Sequence, residues 1–215
     1  MIKALIFDMD GLLVDTEKLY NRFWRESAKD FGYDMSYEDA LSIRSMTAVY
    51  ATKKMQKRFG KEFPYDKIKE HRRVLMQTFV EKEGVEIKEG AKALLEYAKK
   101  NAYKIALATA SPKRRAERYL KGLEIYSYFD VIVCGTDVAI GKPEPDIYLM
   151  AVAKLGLKAE DCIALEDSPN GIIAAHRAGC LPVMVPDLDK PEEEIKNYLY
   201  GCVETLDLVI PLLHQ

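Results

Sequence analysis

The chain has 215 residues, 48% of them hydrophobic, with 32 Lys and Arg against 34 Asp and Glu and a formal net charge of −2. That length suits one large domain, or one domain carrying a smaller one, and the apolar share suffices for a sizeable core. The near balance of charge lacks the basic footprint of a nucleic-acid or membrane-surface binder.

The opening residues, MIKALIFDMDG, carry two carboxylates by position 10. A secretory signal needs a long apolar region there, so none is expected. No apolar run approaches the ~20 residues that span a bilayer. The cysteines, Cys134, Cys162, Cys180 and Cys202, form no CxxC pair and show no metal-ligand spacing. Buried, reduced thiols in a cytoplasmic protein are the expectation.

In chain order, Ile2 to Phe7 is a short apolar run ending at Asp8 and reads as a buried strand. Residues 16–85 then run long, polar and helical, without a strand pattern. Ser36 followed by Asp39 forms a capping pair that opens one helix. Gly60 and Pro64 punctuate a turn between two more, and Arg72, Leu75, Met76 and Phe79 share a helical face. The alternation resumes with a helix placing Ala91, Leu94, Leu95 and Ala98 on one face and stopping at Asn101. Strands are predicted at Lys104 to Thr109, Val131 to Cys134, Cys162 to Leu165 and Leu181 to Val185. Between them lie helical patterns at Ile147 to Leu155 and Gly171 to Ala178. Strands alternating with helices predict an α/β fold, a parallel sheet with helices on both faces. The helical segment is an insert after the first strand.

In open parallel sheets, ligands bind beyond the carboxyl ends of the strands. That rule selects Asp8 to Asp10, Thr109 to Ser111, the loop after Cys134, and Glu166-Asp167-Ser168. Asp8 and Asp10, one residue apart before Gly11, reach one space from a strand end. Carboxylates that close repel, so their pKa values split unless a cation intervenes, which suits one as nucleophile and the other as acid. An Asp-capped turn is the plainer reading of DxDG alone. An EF-hand is excluded because Leu12 stands where a third oxygen ligand is required. Glu166 and Asp167 close an apolar strand, and with Asp8 they supply hard oxygen ligands suited to Mg²⁺. Capping by Asp167 or Ser168 before Pro169 is the alternative. Thr109 and Ser111 offer hydroxyls to a phosphate oxygen at a helix start, with N-capping by Ser111 as the plainer role. Lys142 lies in Gly141-Lys142-Pro143, which is not a P-loop because Pro143 replaces the required Ser or Thr. Pro143 and Pro145 stiffen a loop that could aim the ammonium inward, a solvated surface lysine being the plainer reading without the other motifs.

FDMDGLLVDTE, LATAS, GKPEPDIY and LEDSPNGI, in this order, resemble the four motifs of the haloacid dehalogenase-like phosphatases across nearly the whole chain. The look is nearest to the β-phosphoglucomutase-like sugar phosphatases and the pseudouridine-5′-phosphatase group. The resemblance implies a Rossmann-like core at residues 1–15 and 86–215, and a helical-bundle C1 cap at 16–85. It places the active site where the two meet, closed by cap motion. It also implies that Asp8 attacks phosphorus and becomes an aspartyl phosphate. Asp10 then protonates the leaving alcohol, activates water and ligates Mg²⁺ through its carbonyl. Thr109 bonds the phosphoryl group, Lys142 neutralises charge, and Asp167 ligates Mg²⁺ with Glu166 as a further ligand or water-orienting group. Ser111, Arg44, Arg73 and Tyr20 are the substrate-binding candidates, with a surface arginine as the more common fate of Arg44 or Arg73.

The expected enzyme is a monomeric phosphoric monoester hydrolase using Mg²⁺, acting on a small phosphorylated metabolite, with no nucleic-acid or membrane partner. Several positions depart from the family pattern. Glu89-Gly90 replaces Pro-Gly, Ala102 replaces a glycine, Ser45 beside Arg44 stands where glycine is frequent, and Tyr20 replaces the histidine of the mutase branch. Tyr20 speaks against the main rival, a sugar-phosphate mutase built on the same Asp8. A hydrolytic dehalogenase has no use for Asp10 or Mg²⁺. A catalytically idle binding protein on this fold is the rival from a different class.

Overall fold

The computed structural model describes residues 1–44, 48–187 and 193–214. The chain divides into two compact units, one of Met1–Asp15 with Val85–Gln215, the other of Thr16–Gly84.

The first unit is built on a six-stranded sheet: β1 (Ala4–Phe7), β2 (Lys104–Thr109), β3 (Val131–Cys134), β4 (Cys162–Glu166), β5 (Leu181–Met184) and β6 (Gly201–Cys202). The order is β3-β2-β1-β4-β5-β6, with every pairing parallel. β1 is central and all four of its residues are buried, as its unbroken apolar run requires. The pleat sends Ala4 and Ile6 to one face, with Ala106, Ala108, Cys162 and Ala164, into a core shared with Tyr148, Ala151 and Ala175. The sheet contributes mostly small residues there, so a side chain as large as Tyr148 fits between the layers.

The two-residue β6 had no visible sequence signal. It pairs with β5 only at Val183–Gly201 and Met184–Cys202. Its Cys202 is exposed, a correction to the expectation of buried thiols. Cys134, Cys162 and Cys180 are buried, and all four are free. The first strand is two residues shorter than its apolar run.

The helices of the second unit are α1 (Glu17–Asp30), α2 (Tyr37–Leu41), α3 (Ala48–Phe59) and α4 (Tyr65–Glu83). Those of the first are α5 (Ala91–Lys100), α6 (Lys113–Gly122), α7 (Asp146–Leu155), α8 (Pro169–Arg177) and α9 (Glu193–Lys196). Ser36 caps α2 reciprocally: its hydroxyl accepts from Asp39 N–H at 3.0 Å and its own N–H donates to Asp39 Oδ2 at 3.1 Å. The α3–α4 turn falls between Phe59 and Tyr65, where Gly60 and Pro64 placed it. The second unit has its own core, in which Trp24 lies 5.2 Å from Tyr65 and Tyr33 lies 4.8 Å from Phe63, centroid to centroid. Ser45, which the sequence marked as unusual, lies outside the described residues.

Candidate active site

Sheet register assembles the site. Phe7 pairs with Leu107 on one side and Leu165 on the other. One residue further on, Asp8 therefore leaves β1 beside Ala108 and Glu166. Its N–H still donates to Leu165 O at 3.0 Å, which fixes the point where the strand releases its carboxylate. Gly11, at φ 85°, then turns the chain in the left-handed region, and Leu13 and Val14 donate back to Met9 O. The turn thus holds Asp10 close behind Asp8.

Lys142 reaches this edge from the loop before α7, where the Lys142–Pro143 peptide is cis. Its ammonium donates to Asp8 Oδ1 at 2.5 Å, to Glu166 Oε1 at 2.5 Å and to Ala108 O at 3.0 Å. One cation bridges two carboxylates, with three acceptors for three N–H groups. Both carboxylates are buried, Glu166 completely.

Glu166 is held from several sides. Tyr148, on the first turn of α7, donates to its Oε1 at 2.7 Å. The Ser168 hydroxyl and N–H donate to its Oε2 at 3.1 and 3.3 Å. Ser168 also caps α8, accepting from Gly171 N–H at 3.2 Å, so capping and site-building coexist in one residue. A Cβ on Gly171 would overlap the Glu166 carboxylate, so only glycine leaves room for it. Tyr148 lies within the helical pattern of Ile147 to Leu155, whose spacing gave it no separate signal.

Oxygens of Asp8, Glu166 and Asp167 lie within 4.8 Å of one another, close enough to hold a metal ion. Burial pushes the Asp8 carboxyl up to about 7, and the Glu166 and Asp10 charges push the same way against the pull of Lys142. Burial alone would lower Lys142, but Asp8 and Glu166 together outweigh it and raise the ammonium above its ordinary value. A divalent cation among these oxygens would favour the ionised form of Asp8 against burial and the neighbouring carboxylates, so the donor set fits one.

Thr109 and Ser111 are both buried at the end of β2. Thr109 Oγ1 accepts from Ser111 N–H at 3.1 Å. Ser111 does not cap α6, whose cap position falls at Pro112. Its hydroxyl donates to Asp10 Oδ2 instead. Arg115, one turn into α6, donates from Nη2 to the same Asp10 oxygen at 2.7 Å and to Ser111 Oγ. The sequence carried no signal for Arg115 beyond a basic run, Lys113-Arg114-Arg115.

The remaining candidates lie in the helical unit. Arg44 forms an ion pair with Glu17 at 3.1 Å, both side chains largely buried. Arg73 pairs with Glu70 at 2.6 Å, with both side chains 60% exposed, as a surface arginine does. The Tyr20 ring has the Arg72 guanidinium 4.8 Å from its centroid.

Comparison with known proteins adds to this geometry. The model of the haloacid dehalogenase-like hydrolases matches residues 2–179. The chain is 34% identical over 187 residues to the phosphorylated carbohydrates phosphatase of Thermotoga maritima, covering 83% of this chain and 82% of that protein. It is 31% identical over 189 residues to hexitol phosphatase B of Escherichia coli K12, covering 86% and 84%. Among solved structures it resembles the β-phosphoglucomutase of Clostridium difficile, with 26% identity, a TM-score of 0.75, and 97% and 93% of the two chains covered.

Proposed function

Since the chain belongs to the haloacid dehalogenase-like hydrolases and is a phosphoric monoester hydrolase, we propose that it cleaves small phosphate monoesters, sugar phosphates foremost, through a phosphoryl group carried on Asp8. The observation that carries this reading is the buried Asp8 carboxylate at the end of β1, 2.5 Å from the Lys142 ammonium and clustered with Glu166 and Asp167. Phosphoryl transfer asks a protein for positioning and charge neutralisation more than for bond-making groups.

In the first step an Asp8 oxygen bonds to phosphorus while the ester P–O bond breaks, and Asp10 gives its proton to the departing alcohol. In the second step a water oxygen bonds to phosphorus, Asp10 takes one of its protons, and the P–O bond to Asp8 breaks with its electron pair returning to the carboxylate. Lys142 neutralises charge on Asp8 and on the transferring group. Thr109 donates its hydroxyl hydrogen to a phosphoryl oxygen, and Ser111 and the cap candidates Arg44 and Tyr20 serve the substrate, whereas Arg73, exposed and paired with Glu70, stays a surface arginine. Asp8, Asp167 and the Asp10 carbonyl would hold Mg²⁺, with Glu166, already bonded by Lys142, Tyr148 and Ser168, acting as orienting group. The ion supplies charge neutralisation that keeps Asp8 ionised.

Residues 16–85 act as the cap in this reading. The buried, free cysteines support a cytoplasmic setting, and no described helix is long and apolar enough to cross a membrane.

The test is a screen of phosphorylated metabolites, read by free phosphate, with Mg²⁺ and with excess chelator. Release should require Mg²⁺, Ca²⁺ should inhibit because it favours more ligands at longer distances, and trapped phosphate should sit on Asp8. Full activity in chelator, or phosphate trapped on another residue, would refute the reading. The likeness to a β-phosphoglucomutase supports one second reading, in which Asp8 returns the phosphoryl group to sugar.

A further inference from the structure

The geometry points to Arg115 as a positioning residue that, with Ser111, holds Asp10 ready to act as base toward water. The inference rests on the reading of Asp8 and Asp10 given above. Three polar groups close a triangle. Ser111 donates to Asp10 Oδ2 and accepts from Arg115 Nη2, and Arg115 Nη2 donates to Asp10 Oδ2 at 2.7 Å. Asp10 and Arg115 keep only 17% and 31% side-chain exposure.

The anchors are rigidly placed. Ser111 is buried two residues after β2, which is hydrogen-bonded to β1 in fixed register. Arg115 follows one helical turn later, so both ride on the strand beside the one that carries Asp8. The Arg115 guanidinium also lies 6.0 Å from the ring centroid of buried Tyr119, the next turn of the same face. Three successive basic residues at a helix start oppose the helix dipole. Lys113 and Arg114 point to solvent, whereas Arg115 is half-buried and turned onto Asp10. Pairing with a catalytic carboxylate accounts for that placement.

A general base acts only when its oxygen is held within hydrogen-bond reach of the proton it removes. Clamping Oδ2 between a guanidinium and a hydroxyl fixes the carboxylate plane from within the unit that carries Asp8. The step served is hydrolysis of the Asp8 phosphate. Water's oxygen bonds to phosphorus, one proton passes to Asp10, the other stays on the released phosphate, and Asp8 regains its carboxylate. The first step on an aryl phosphate makes little use of Asp10, because a nitrophenolate leaves without a proton.

The experiment uses 4-nitrophenyl phosphate and rapid quenching of the phosphoenzyme in wild type, Arg115→Ala, Arg115→Lys and Ser111→Ala. Decay of the phosphoenzyme should slow about tenfold in Arg115→Ala, a fraction of what loss of a whole general base costs. The phosphoenzyme should accumulate at steady state, and kcat and KM should fall together while kcat/KM changes by less than about threefold. Arg115→Lys should recover part of the decay rate, and Ser111→Ala should slow it. Decay at the wild-type rate in Arg115→Ala would overturn the inference alone. So would a parallel loss of kcat and kcat/KM, the mark of a structural or substrate-anchoring arginine. Should Arg115→Ala fail to fold, the decay rates of Arg115→Lys and Ser111→Ala decide, and wild-type decay in both would overturn it. Absence of phosphoenzyme on Asp8 in the wild type would overturn the functional reading and this inference with it.

Discussion

Tyr148 donates its phenolic hydrogen to Glu166 Oε1 over 2.7 Å from a fully buried position on α7. Its ring also lies 5.1 Å from the Lys142 ammonium. Burial, then the Glu166 charge, raises the Tyr148 hydroxyl well above its ordinary value, so it stays a donor. Tyr148→Phe keeps the ring and removes the bond, leaving the buried Glu166 one donor short. Hydrogen bonds to charged groups contribute about 1.5–3 kcal/mol, so urea unfolding should show a loss of that order. Lys142 is held by the same Glu166 oxygen, so kcat should fall several-fold as well. A variant with wild-type stability and activity would show that Glu166 does not need the phenol.

Asp8→Asn should abolish turnover and yet stabilise the metal-free protein at pH 8. The Asp8 carboxyl is raised from 3.8 to about 7, chiefly by burial. Between those values the folded chain holds a proton that the unfolded chain has released. Stability therefore falls as pH rises through that window and levels off above it. One pKa unit corresponds to ~1.4 kcal/mol, so on the order of a few kcal/mol is at stake. The asparagine carries no such slope. Unfolding in chelator from pH 4 to 8 should show the slope in wild type and its reduction in the variant, and added Mg²⁺ should restore wild-type stability at pH 8. A variant less stable than wild type at pH 8 without metal would contradict this account.

Gly171→Ala separates packing from helix propensity. Alanine in a helix is favoured over glycine by about 1 kcal/mol, so an unobstructed site would gain stability. Here the nearest atoms to the added Cβ all belong to the Glu166 carboxylate group, which would have to move. Overpacking typically costs about 1–3 kcal/mol, and displacing Glu166 disturbs Lys142. The expected result is a lower melting temperature with at least about tenfold slower turnover. A stabilised, active variant would show that Glu166 has room to yield.

The strand-end positions were legible because ligands of an open parallel sheet gather at the carboxyl ends of its strands, because Glu166 and Asp167 are costly at the end of an apolar strand, and because Lys142 stands in company with the other motifs. The capping box at Ser36 and the turn between Gly60 and Pro64 were legible because their chemistry is local. Three features were not. Tyr148 and Arg115 gain their roles from partners 18 and 105 residues away in sequence, which periodicity cannot reveal. The two-residue β6 is fixed by the neighbouring β5 rather than by its own residues. Ala102 shows the opposite case. It stands where the family pattern has glycine and adopts φ 58°, a conformation that strains a side chain.

Tyr20 bears on hydrolysis against isomerisation. In the proposed mechanism both reactions would pass through the same Asp8 phosphate, so the strand-end residues do not separate them. What separates them is whether water or a sugar hydroxyl takes the phosphoryl group, and so when Asp10 is free to act as base. A histidine at position 20 could relay a proton near neutral pH, whereas a phenol with an ordinary pKa of ~10 relays poorly. In this protein the Tyr20 ring lies under the Arg72 guanidinium, which also stacks on Trp24 at 5.0 Å. That packing belongs to the ring rather than to the hydroxyl, so Tyr20→Phe preserves it. Hydrolysis in Tyr20→Phe should therefore stay within about tenfold of wild type, or ~1.4 kcal/mol in transition-state stabilisation. The same enzyme should release phosphate from β-glucose 1-phosphate faster than it forms glucose 6-phosphate. A coupled glucose 6-phosphate assay run beside phosphate detection measures both fates of the intermediate. Isomerised sugar appearing faster than phosphate would make the protein a mutase. A loss well beyond tenfold in Tyr20→Phe would place the hydroxyl in the chemistry rather than in the packing.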